Sequence, residues 1–177
     1  LYYIDEAASN ETLDDLLDRA RDEGIAIASH GKSTPADVAV QIYLATPALL
    51  EERAVRAMAF DKTAFAYFPG RVGEGRDLPE VTEPHLKRMA DLMDPWFEGK
   101  QRGRGARIFV YHRDDKFWLV VRHGMPMVRE GKHEEDGEAG VAFYRPQKHD
   151  VMIYDAATDL LGINAGSKGE NDLYRHT

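Results

Sequence analysis

The chain has 177 residues, 43% of them hydrophobic and 31% charged, a balance that fits one globular domain and excludes disordered and fibrous classes. Cysteine is absent, which excludes disulfides, thiol catalysis, iron–sulfur clusters and thiolate zinc sites. No apolar run approaches the roughly 20 residues that cross a bilayer, and Leu1–Glu6 lacks the basic flank of a secretory leader, so a cytoplasmic setting without membrane contact is expected.

The net charge of −8 is unevenly placed. Residues 1–99 carry 10 Lys and Arg against 19 Asp and Glu, whereas residues 100–177 carry 13 against 12. An acidic first part repels phosphate and disfavours a general nucleic-acid binder. The balanced second part leaves room for one basic face.

Helix signals dominate the first part. Leu13, Leu16, Leu17 and Ala20 repeat at helical spacing, with Asn10 placed as N-cap and Gly24 as the stop. Thr34-Pro35-Ala36-Asp37 is a helix-start signature, although Val38, Val40, Ile42 and Leu44 alternate as in a strand. The start signal is the more specific, so a helix through Ala45 is expected. Thr46-Pro47 repeats the device, with Leu50, Ala54, Ala57 and Met58 following at helical spacing. Thr63 to Phe68 is short, aromatic and β-prone. Residues 69–82 are rich in Pro and Gly and read as a loop. Thr82 then caps a helix with Leu86, Met89, Met93 and Trp96 on one stripe, ending at Gly99. Residues 100–105 (KQRGRG) read as a basic, flexible connector.

From Ala106 the texture turns to strands. Arg107–Arg113 and Lys116–Arg122 flank Asp114-Asp115 as a hairpin, which sets Tyr111 opposite Trp118 and Val110 opposite Leu119. Both faces are apolar, so this pair is expected at the centre of its sheet. Residues 129–140 read as an acidic, glycine-punctuated loop. Val141–Arg145, Val151–Asp155 and Leu160–Asn164 read as further strands, and Gly169–Thr177 as the start of another helix. The expected fold is α+β: a single domain over 1–177, mainly helical over 1–99, with an antiparallel meander over 106–165. Because the chain starts on Leu1 and no stop signal closes the last helix, it reads as part of a longer protein.

Few motifs carry chemistry. Gly31-Lys32-Ser33 lacks the glycine that a phosphate loop needs at position 26, which is Ala26. Ser29-His30-Gly31-Lys32 matches Ser-x-x-Lys without its companion motifs. Gly70, Gly73 and Gly75 have the wrong spacing for dinucleotide binding, and Ala165-Gly166-Ser167-Lys168-Gly169 is no nucleophile elbow. The acidic stretch from Glu130 to Glu138 does not match a calcium loop. No cofactor is implied.

Two constellations remain. His123, His133, His149 and Asp150 fall near expected strand ends, and imidazoles with a carboxylate suit a divalent transition metal. No pair of them has a favourable local ligand spacing. Arg102, Arg104, Arg107 and Arg122 gather at one end of the expected hairpin and form a candidate anion-binding edge for a protein or anionic partner. The leading expectation is therefore a non-catalytic binding or regulatory module of a larger cytoplasmic protein. The runner-up is a metal-assisted hydrolase, a phosphoesterase or nuclease, built on the four His and Asp residues.

Overall fold

The computed structural model describes residues 2–28, 32–70 and 80–177. It divides into two compact units, Leu1–Asp61 and Lys62–Thr177. None of the described helices is long and apolar enough to cross a membrane.

The first unit is four helices: α1 (Tyr2–Asn10), α2 (Leu13–Asp22), α3 (Pro35–Ala45) and α4 (Pro47–Phe60). Their core is Ala7, Leu16, Ala20, Val38, Ala39, Ile42 and Leu50. Asn10 is not the cap of α2. It closes α1, where its side-chain amide donates to the Glu6 carbonyl (2.9 Å), and Thr12 caps α2 in a reciprocal box with Asp15. In α3, Thr34 and Asp37 form the same box, and the competing strand pattern is resolved by burial. Val38 and Ile42 point inward, four residues apart, while Val40 and Leu44 face solvent.

The second unit holds β1 (Ala66–Pro69), α5 (Glu83–Gly99), β2 (Arg107–Arg113), β3 (Lys116–Gly124), β4 (Val128–His133), β5 (Ala139–Tyr144), β6 (Gln147–Asp155), β7 (Leu160–Asn164) and α6 (Lys168–His176). With most helices early and the strands late, the class is α+β. Five strands form one antiparallel sheet in the order β1-β7-β6-β3-β2. The β2–β3 register is the expected one, with Tyr111 opposite Trp118, Val110 opposite Leu119 and Arg107 opposite Arg122. Asp114 and Asp115 take left-handed backbone (φ 54° and 56°), which suits the tight turn of a right-twisted hairpin.

Three expectations change. Of the hairpin pair only β3 is interior, between β2 and β6; β2 is an edge strand among the described residues. Residues 129–140 are not an acidic loop, because β4 and β5 pair as a separate two-stranded sheet around a short acidic turn. The strand β4 (VREGKH) has no apolar alternation, so periodicity carries no sign of it and its ladder with β5 defines it. The connector 100–105 is also held in place. The Arg102 N–H donates to the Phe97 carbonyl (2.9 Å), and the N–H groups of Gly105 and Ala106 donate to the Asp94 carboxylate.

The five-stranded sheet is apolar on both faces. One carries Ile108, Val121, Met152 and Ile163 against Met93 and Phe97 of α5 and Tyr174 of α6. The other carries Phe109, Trp118, Val120, Val151 and Ile153, all buried. Trp118 meets Phe65 edge-on at 6.1 Å between ring centroids. Replacing Trp118 with Ala is expected to cost about 3–5 kcal/mol, read as a lowered denaturation midpoint. A loss below about 1 kcal/mol would contradict this packing.

Candidate functional site: a buried histidine–carboxylate cluster

The register of β3 on β6 sets Val121 opposite Asp150, Arg122 opposite His149 and His123 opposite Lys148. Side chains alternate across a sheet, so His123, Lys148 and Asp150 share the face under α5 and α6, and His149 takes the other face with Arg122. Onto the first group α6 brings Glu170 and Tyr174. The connector after α5 brings Arg102.

Every member of this group is bonded. The Tyr174 hydroxyl donates to Asp150 Oδ2 (2.7 Å), and His123 Nε2 lies 3.1 Å from the same oxygen. Lys148 Nζ donates to Asp150 Oδ1 (2.9 Å) and Glu170 Oε1 (2.6 Å), and Arg102 also donates to Glu170 Oε1 (2.5 Å). Phe97 stacks on the His123 ring at 4.3 Å, and the Arg102 guanidinium lies over Trp96. Close approach is made possible by Gly124, where an added Cβ would sit 2.4 Å from the Arg102 carbonyl oxygen. The Gly124 carbonyl in turn faces His123 Nδ1 at 2.8 Å.

His123 thus has an oxygen within hydrogen-bond distance of each ring nitrogen. Asp150, Glu170 and His123 are all buried. Burial alone would raise the Asp150 carboxyl, but the hydrogen bonds from His123, Lys148 and Tyr174 outweigh it and hold it below its ordinary value. Glu170 is likewise held low: burial opposes ionisation, and the bonds from Arg102 and Lys148 prevail. Burial, then the Asp150 charge, pushes the Tyr174 hydroxyl well up, so it acts as a neutral donor.

Ligand atoms of His123, Asp150 and Glu170 lie within 4.8 Å of one another, close enough to hold a divalent ion. Lys148 Nζ bridges the two carboxylates, where such an ion would have to bind. With Lys148 and Arg102 facing Asp150 and Glu170, two cations already balance two carboxylates, so a dication would add uncompensated charge to a buried place.

Of the four histidine-set residues, His123 and Asp150 come together. His149 lies on the opposite sheet face, and His133 lies on β4 in the other sheet. Glu170, Lys148 and Tyr174 carried no motif signal; only the register and the docking of α6 gather them. The four arginines fall into separate settings. Arg102 enters the cluster, Arg104 pairs with Glu98 (2.8 Å) in solvent, and Arg107 and Arg122 lie opposite each other over the Phe109 ring. Ser29, His30, Gly31, Gly73 and Gly75 lie outside the described residues.

No protein-family model and no curated protein matches this sequence.

His149 supplies a pH test. Burial, reinforced by Arg122, pushes its imidazole down to about 4, and its Nε2 is buried with no hydrogen-bond partner among the described residues. An unfolded histidine titrates near 6.5, so between that value and about 4 the unfolded chain binds the extra proton. Stability should fall as pH drops through this window, above the range where the depressed Asp150 and Glu170 protonate. His149→Gln should flatten melts over that window. An unchanged slope in the variant would contradict the assignment.

Proposed function

We propose that this chain is a non-catalytic binding module of a cytoplasmic protein, and that it meets its partner through the β4–β5 hairpin. One observation carries the reading. This hairpin forms a sheet of its own and leaves Val141, Phe143 and Tyr144 exposed. The His123 cluster supports it from the other side, since its groups are bonded to one another and two cations offset its two carboxylates. At the basic end of the β2–β3 hairpin, Arg102 pairs with Glu170 and Arg104 with Glu98, so the proposal does not rest on that end.

The second reading, a metal-assisted hydrolase, is favoured by the convergence of His123, Asp150 and Glu170. It requires Lys148 to leave. Thermal melts with EDTA, and with added zinc or manganese, separate the two readings. The module reading expects coincident melting temperatures. A rise of several degrees that saturates at stoichiometric metal would overturn it in favour of the hydrolase.

A further inference from the structure

The β4–β5 hairpin poses a physical problem. Each strand has six residues, they pair chiefly with each other, and the base is closed by the Met125 N–H donating to the Pro146 carbonyl (2.7 Å). A two-stranded ribbon of this size is marginal by itself and gains stability when further strands extend it. Its two outer edges are unpaired among the described residues, and they differ in chemistry. The β4 edge carries Arg129, Glu130, Lys132 and His133, charges of the kind that keep an edge from pairing. The β5 edge, AGVAFY, carries none.

The charge along the hairpin is also polarised. Glu134, Glu135, Asp136 and Glu138 crowd the turn, while Arg129 and Arg145 outnumber Glu130 at the base, where Glu130 accepts from the Tyr144 hydroxyl (3.0 Å) and Arg145 donates to the Gln101 carbonyl. Lys132 offsets Glu134 (2.7 Å), which leaves the turn net acidic. A strand arm with an acidic tip and a basic base is complementary to itself reversed: two copies laid antiparallel set each tip beside the other's base, whereas a parallel arrangement opposes like charges.

Resting on the hairpin as the binding surface, we infer that the occupant of the β5 edge is a second copy of this chain, joined by two-fold antiparallel β5–β5 pairing into a four-stranded sheet. A two-fold axis normal to the sheet keeps equal faces together. Pairing centred on Ala142 then sets Phe143 of each copy opposite Val141 of the other. Aromatic against β-branched pairs of this kind stabilise neighbouring strands.

The test is sedimentation of the whole chain over a range of concentrations, with amide exchange read in parallel. The expected result is a mass that doubles as concentration rises, with the β5 amides slowing and the β3 and β6 amides unchanged. Val141→Lys with Phe143→Lys, both on the solvent side of the hairpin, should abolish the doubling without lowering the melt of the sheet. A monomer at every concentration would overturn the inference, as would a dimer that survives the double lysine variant. A monomer whose β5 amides slow only when a peptide of alternating lysine and valine is added would assign the edge to a foreign basic strand. That outcome also overturns self-pairing and leaves the module reading standing, whereas saturable metal binding removes the module reading itself.

Discussion

Two carboxylates inside the second unit set the terms for much else. Asp150 and Glu170 are essentially without solvent, and an isolated carboxylate in such a place would cost several kcal/mol. The fold meets this by bringing cations and donors from four places: Lys148 two residues back on β6, His123 across the ladder on β3, Arg102 from the connector, and Tyr174 one turn along α6. These bonds fasten the last helix and the connector to the sheet at fixed points. Apolar packing of Phe97, Met93, Val121 and Tyr174 alone would leave their orientation free to slide. Removing one partner of such a network strands the others and typically costs about 3–5 kcal/mol, a large share of a domain's stability.

The same charge balance separates an ion network from a metal centre. Three metal-capable side chains within reach of one another resemble a metal centre when counted alone. Counted with Lys148 and Arg102, they are an ion network whose charges cancel. The ammonium of Lys148, bridging both carboxylates, decides between the two.

Local signals were legible in the sequence where local physics controls them. Thr34 with Pro35 and Asp37 gave α3 against a competing alternation, and Asp114-Asp115 gave a hairpin register that holds for every pair from Arg107 to Lys116. The strand β4 was not legible because its residues are polar on both faces, so only its partner reveals it. The cluster was half legible. His123 and Asp150 were singled out, but His149 differs from Asp150 by one position and therefore lies on the opposite face, and His133 belongs to another sheet. Glu170 lies 20 residues beyond Asp150 on a helix whose docking no spacing encodes.

The most direct measurement is a double-mutant cycle between Lys148 and Glu170, using Lys148→Met, Glu170→Gln and the pair, followed by denaturant melts. Each single change is expected to be strongly destabilising, the pair to cost less than the two added together, and the coupling to exceed about 1 kcal/mol. Additivity within about 0.5 kcal/mol would mean that the two groups do not depend on one another, and would contradict the buried network as the clamp that fixes the last helix to the sheet.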